Sequence, residues 1–250
     1  MANVRLQLQY IGTRYHGWQV QPNGITVQET LQNAIEKVTG VRSAVTGCSR
    51  TDAGVHANRF YCTTSQPDRL SDTKFLQALN AVLPNDIAVL SCVAVPDVFH
   101  PRYSAVAKRY VYRIWNGGVR NPFEEGRSLH LHAPLDDARM NEVAQLFVGT
   151  HDFSAFCSAG SSVQDKVRTI RLSQVKRDVD LVTYTVEADG FLYNMVRILV
   201  GTILDVTAGR LSEDDVRRAL DPGDRNCAGV TAPACGLFLD EVWYQTEVST

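Results

Sequence analysis

Apolar and polar residues alternate strictly from Val4 to Tyr10 (Val-Arg-Leu-Gln-Leu-Gln-Tyr), which predicts a strand with one buried face. The period then changes. Thr26 followed by Glu29 is a capping-box pattern, and Val27, Leu31, Ala34, Ile35 and Val38 fall on one helical face that Gly40 closes. Strands are expected near 43–48 and 56–63. A helix near 73–83 carries Phe75, Leu76, Leu79 and Val82 and is stopped by Pro84, and a strand follows at 87–95. The order is β-α-β-β-α-β. Downstream, strands near 105–115 and 127–132 precede a helix at 136–147. Strands near 168–177 and 180–188, an apolar helix at 192–206, a short helix capped by Ser212 and a strand at 236–244 close the chain. Two α+β halves, 1–104 and 105–250 with a seam near 96–105, point to a structural duplication that leaves no repeat in the letters. Hairpin-like connections favour antiparallel or mixed sheets over a doubly wound one. Neither Gly-x-Gly-x-x-Gly nor Gly-x-x-x-x-Gly-Lys occurs, which removes the usual nucleotide-cofactor readings.

Composition adds bounds. At 44% hydrophobic and 21% charged, the 250 residues have ample material for a core. Asp86, Arg197 and Asp205 interrupt the best apolar runs before the ~18 residues a membrane span needs, and the N-terminus lacks the apolar centre of a secretory signal. No membrane partner is expected, and the cytoplasm is the expected location. The six cysteines, at 48, 62, 92, 157, 227 and 235, form no Cys-x-x-Cys pair and no zinc-finger spacing with histidine, so they read as reduced, small buried hydrophobes and no metal is expected. The net charge of −2 argues against a generic polyanion binder. It hides an asymmetry. Residues 1–125 carry 13 Lys and Arg against 9 Asp and Glu, whereas residues 126–250 carry 12 against 18, so an anionic partner is expected mainly against the first half.

Three stretches carry candidate chemistry. Cys48-Ser-Arg-Thr-Asp-Ala-Gly-Val-His-Ala57 lies between two strands and gathers Arg50, Asp52, Gly54 and His56 within seven residues. A plain turn explains Asp and Gly there, yet loops between strands also mount catalytic groups. The second stretch runs from His100 to Trp115 and includes Arg102, Lys108, Arg109 and Arg113, with no acid between Asp97 and Glu124. Its interleaved aromatics suit single-stranded RNA, which needs phosphate neutralisation and stacking surfaces, although an amphipathic strand has the same look. On a strand, Tyr110 and Tyr112 share one face and Arg109 and Arg113 the other. In the third, Phe191 to Leu204, Arg197 is the only charge, and a buried guanidinium needs an anionic partner unless it snorkels to the surface.

Together these blocks resemble the TruA family of tRNA pseudouridine synthases along essentially the whole chain. The core match is Arg50-Thr-Asp-Ala-Gly-Val-His-Ala57. It is supported by Tyr15-His-Gly-Trp-Gln19, Thr26-Val-Gln-Glu29, Phe99-His-Pro-Arg-Tyr-Ser-Ala105, Arg109-Tyr-Val-Tyr-Arg113, Met195-Val-Arg197 and Ala232-Pro-Ala-Cys-Gly-Leu237. Ser49 departs from the glycine found in many members. The resemblance implies two RRM-like or ferredoxin-like halves fused through a continuous, mostly antiparallel sheet, with helices on one face and a basic cleft on the other. It implies an isomerase without cofactor that converts uridine to pseudouridine in the anticodon stem-loop of tRNA, at positions 38–40, and acts as a homodimer.

Residue by residue, the resemblance makes Asp52 the catalytic carboxylate, either a nucleophile or a base toward a sugar proton. It makes Tyr110 the ring that stacks on the flipped base, and Arg197 the arginine that pairs with the aspartate. Arg50 would hold the flipped state. Arg102, Arg109 and His56 complete the expected RNA contacts. Asp52 and His56 could otherwise be imagined as a hydrolytic pair, but no Gly-x-Ser-x-Gly nucleophile motif accompanies them. A non-catalytic RNA-binding module would need the cations but not Asp52.

Overall fold

Strand β1 (Ala2–Tyr10) buries Val4, Leu6, Leu8 and Tyr10 on one face and leaves Arg5, Gln7 and Gln9 at least partly accessible, as its alternation predicts. The computed structural model describes residues 2–161, 163–221 and 223–245. Helix α1 (Val27–Thr39) starts at Thr26, whose hydroxyl accepts the Glu29 N–H, and stops at Gly40 in the left-handed region. Strand β2 (Thr46–Gly47), strand β3 (His56–Gln66), helix α2 (Asp72–Val82) and strand β4 (Ile87–Ala94) follow. β1 runs antiparallel between β3 and β4, with Leu6 opposite both Cys62 and Cys92. Leu31, Ile35, Phe75 and Leu79 from the helices share a core with Leu6, Leu8 and Phe60.

Strand β5 (Ala105–Trp115), strand β6 (Leu129–His130), helix α3 (Asp137–Gln145), strands β7 (Gly149–Asp152), β8 (Val167–Asp178) and β9 (Leu181–Ala188), and helices α4 (Met195–Thr207) and α5 (Glu213–Leu220) come next. β9 lies antiparallel between β5 and β8, β7 extends β8 in the antiparallel sense, and β6 pairs parallel to β5. Helix α4 is buried on nearly every side through Ile198, Leu199, Val200 and Ile203, and α3 packs on both α4 and β8. Strand β10 (Leu237–Tyr244) ends the described chain.

The chain divides into two compact units, one of residues up to 106 with those from 238 onward, the other of residues 107–237. Sequence order alone puts the last strand with the second half. In space it belongs with the first, because Phe238 and Leu239 pair parallel to His56 and Ala57. Three further differences have local causes. The strand expected over 43–48 is reduced to two residues, because the Gln32 and Gln28 side chains of α1 donate to the Ser43 and Val45 carbonyls. Only Leu129–His130 remains of the strand expected at 127–132, and β7 was not expected because its four residues carry no alternation. Among the described residues, no helix is long and apolar enough to cross a membrane. The cysteines are free thiols, with Cys48, Cys62 and Cys227 buried.

Candidate active site

In the first unit, the segment 48–57 is fastened on both sides. The Cys48 N–H donates to the Tyr61 carbonyl at 2.8 Å, and the Val55 N–H closes a turn on the Asp52 carbonyl at 3.1 Å. The segment between β1 and α1 grips the same turn. Trp18 N–H donates to Thr51 O at 3.0 Å, Gly54 N–H donates to Tyr15 O at 3.2 Å, and the Tyr10 hydroxyl lies 2.8 Å from Thr51 Oγ1. Gly17 is required for this grip. Its φ is +82°, and a Cβ there would stand 2.5 Å from the Thr51 carbonyl oxygen. Asp86 in turn pins the gripping segment. Arg14 donates twice to its Oδ2 and the Tyr15 hydroxyl donates to Oδ1 at 2.7 Å. Burial, with the Asp86 carboxylate beside it, pushes the Tyr15 phenol well above its ordinary pKa, so the proton stays in that bond.

The outcome is selective. Thr51, Val55 and His56 are buried, while Asp52 keeps partial exposure and Arg50 is exposed. His56 is 0% exposed, accepts the Gly12 N–H on Nδ1 at 2.9 Å and packs its ring on Phe238 at 4.5 Å. The RNA contact expected of His56 is therefore corrected: a ring with no accessible surface cannot touch a polyanion, and the structure uses it to hold the loop's base. The Ser49 departure is harmless to the backbone, since Val179 and Asn194 are the non-glycine residues with positive φ among those described.

In the second unit, Arg197 sits in the first turn of α4, where the helix dipole disfavours a cation. Its orientation is set by acceptors. Nε donates to Ala232 O at 2.7 Å and Nη1 to Asn194 Oδ1 at 2.8 Å, while the Ala232 N–H returns a bond to Arg197 O at 3.1 Å. Asn194 is itself left-handed at φ 60°, with its amide nitrogen on Ser158 Oγ at 2.9 Å. Pro233, next along, accepts the Tyr112 hydroxyl at 2.7 Å, and Gly236 lets the chain approach so closely that a Cβ would meet Arg113 O at 2.6 Å. The 232–236 segment thus ties Arg197 to the strand that carries Tyr110. Tyr110 is 6% exposed, with Phe191 edge-on at 5.0 Å.

Two cations of the Arg-Tyr-Val-Tyr-Arg strand carry acidic partners from elsewhere in the sequence: Arg109 pairs with Glu187 at 3.0 Å and Arg113 with Glu124 at 2.6 Å. The acid-free run from Asp97 to Glu124 overstated the available positive charge, because cross-strand register sets Arg109 opposite Glu187. Tyr10, Gly17, Trp18, Asn194 and Ala232 had no role assigned from sequence. The signal for three of them was the pair of blocks around Tyr15–Gln19 and Ala232–Leu237, whose partners are distant in the chain. Among the described residues, no three His, Cys, Asp or Glu side chains gather as a metal ion would need.

Comparison with known proteins shows the family. A family model described as tRNA pseudouridine synthase matches residues 7–104 and 143–245. The tRNA pseudouridine synthase A of Thermoanaerobacter sp. strain X514 is 45% identical over 244 residues, which is 98% of this chain and 100% of the relative. That of Acetivibrio thermocellus is 43% identical over 244 residues with the same coverage. Among solved structures, a chain in a Cbf5-Nop10-Gar1 complex aligns over 96% of this chain and 59% of its own length at 12% identity and a TM-score of 0.40, too low a likeness to bear on fold or function. The chain belongs to the tRNA pseudouridine synthase family, of the TruA kind, and is an isomerase.

Proposed function

We propose that this enzyme isomerises uridine in the anticodon stem-loop of tRNA, at positions 38–40, with Asp52 as its catalytic carboxylate. The observation that carries the reading is the construction of the 48–57 turn: four contacts from Tyr10, Tyr15, Trp18 and Gly12 immobilise its base, while Asp52, its one carboxylate, keeps access to solvent. A rigid mount with one accessible reactive group is what positioning catalysis requires.

The reaction breaks the C1′–N1 bond, turns the base and joins C1′ to C5; C5 gives up its proton, which exchanges with the medium, and N1 takes one up, so the composition of the nucleotide is unchanged. A stacked nucleotide cannot undergo it, and the uridine must be flipped out at a cost of a few kcal/mol. Asp52 serves ionised, by attack on the nucleoside or by removal of a sugar proton. Tyr110 stacks on the displaced base and its hydroxyl relays the C5 proton. Arg197, its guanidinium oriented by Asn194 and Ala232, supplies the positive charge that the family resemblance sets against Asp52. Arg50 holds the flipped state, and Arg102 neutralises phosphate. Arg109 contributes less, being engaged with Glu187. The enzyme works as a homodimer in the cytoplasm, as its resemblance to the family implies. The test is tritium release from tRNA transcripts carrying 5-³H-uridine, combined with sequencing of the product. Label freed from positions 38–40 supports the reading, and pseudouridine formed elsewhere contradicts it.

A further inference from the structure

The turn that joins β4 to β5 faces a cleft to which the mechanism above assigns nothing beyond Arg50 and Arg102. The cleft has a volume of about 220 Å³ and lies wholly in the first unit, lined among others by Trp18, Gln19, Arg50, His100, Arg102 and Tyr103, with no acidic side chain on its walls. Its floor is firm, for Trp18 is buried and stacks on Phe60 at 4.1 Å. Its rim is unusual. Tyr103 is 76% exposed, its ring lies 4.3 Å from that of His100 at 33°, and the Arg102 guanidinium sits 5.7 Å from the same tyrosine.

The turn is rigid although exposed. His100 N–H donates to Ser104 Oγ and Ser104 N–H to His100 O, and the Tyr244 hydroxyl donates to Pro101 O at 3.0 Å. His100 Nδ1 accepts the backbone N–H groups of Arg102 and Tyr103 at 3.1 and 3.3 Å. That leaves the neutral ring's proton on Nε2, and it sets the imidazole alongside the phenol before any ligand arrives. An exposed aromatic pair already in place, flanked by two arginines, has the two features that unpaired nucleic acid needs: a face for a base and charge for its phosphates.

We propose that this cleft seats one unpaired nucleotide of the substrate tRNA outside the reacting uridine, its base stacked on the His100–Tyr103 pair and its phosphodiester held by Arg50 and Arg102. The proposal rests on the reading of the Asp52 turn as catalytic, since Arg50 lies two residues from Asp52. It makes Tyr103 and His100 binding residues that never touch the reacting atoms.

The experiment measures Kd for an unmodified tRNA transcript, and the rate at saturating transcript, for the wild type, Tyr103→Leu, Tyr103→Phe and Arg102→Met. Stacking predicts that Tyr103→Leu weakens binding about tenfold, that Tyr103→Phe restores it to within about twofold, and that the saturated rate is unchanged. Arg102→Met should lower the log–log salt slope by about one. In parallel, single abasic substitutions are walked through the unpaired nucleotides of the transcript. At one position the wild type should lose about tenfold in affinity and Tyr103→Leu should lose nothing further, because the stacked base is already gone. Tyr103→Leu that binds as tightly as the wild type with an unchanged melting temperature overturns the proposal. So do losses that add at every abasic position. Asp52→Asn separates the two readings: it is expected to bind normally without turnover, so a cleft that fails these tests leaves the assignment of Asp52 untouched.

Discussion

Arg197 shows what a single side chain is given up for. A cation in the first turn of a helix costs about 0.3–1 kcal/mol against the dipole, and its support, Asn194, holds a left-handed backbone that most residues avoid. Both choices work against stability and fall on a residue proposed to act in catalysis and on its support, as strain commonly does. Asn194→Gly relieves the backbone but removes the acceptor for Arg197, whereas Asn194→Ala removes the acceptor and keeps the strain. Both should slow single turnover at least about tenfold, since orientation is lost in each. Their stabilities should differ: the melting temperatures should fall in the order wild type, Gly, Ala, with about 1–2 kcal/mol between the two variants. Ala melting at or above Gly would show that the left-handed turn carries no strain. Tyr110→Phe separates stacking from proton relay, because it keeps the ring and loses the hydroxyl. Single-turnover rate should fall with tRNA affinity unchanged, and full activity would remove the relay role. The identities of Asp52, Arg197 and Tyr110 could be read as candidates from their blocks. The burial of His56 and the ion pair of Arg109 could not, since each depends on a partner tens of residues away, Gly12 in one case and Glu187 in the other.

At the level of elements, the 48–57 turn and the segment that grips it form one piece. Gly17→Ala tests this, because an added Cβ meets backbone rather than a movable side chain. The turn must shift, and a displacement near 1 Å costs on the order of a hundredfold in rate. The saturated rate should therefore fall by roughly that factor while tRNA affinity moves less than about threefold. Equal losses in both would mean that the segment binds RNA instead of positioning the turn. The helices were the most legible elements, because their caps are local. Thr26 and Gly40 bound α1, and Ser212 forms a full capping box with Asp215 at α5. Short strands were not legible. β7 exists only because β8 offers it an edge, and β10 returns to β3 by a pairing that no local pattern encodes.

For the whole molecule, the near-zero net charge says little about affinity for tRNA, because released counterions follow local cations. The ion pairs of Arg109 and Arg113 refine that expectation. Binding should weaken steeply with salt, and Arg50→Met should reduce the slope by about one, whereas Arg113→Met should change it less. Equal effects would show that Arg113 leaves Glu124 on binding. The charge asymmetry between the halves was legible from composition, and the partners that neutralise Arg109 and Arg113 were not. The central claim is that Asp52 performs the chemistry on a turn built to hold it. Asp52→Asn measures this most directly, because a neutral amide of the same shape can neither attack nor take a proton. Tritium release from 5-³H-uridine tRNA under single turnover should disappear, while tRNA affinity stays within about tenfold, roughly 1.4 kcal/mol. Release that persists at more than a few per cent of the wild-type rate would contradict the account.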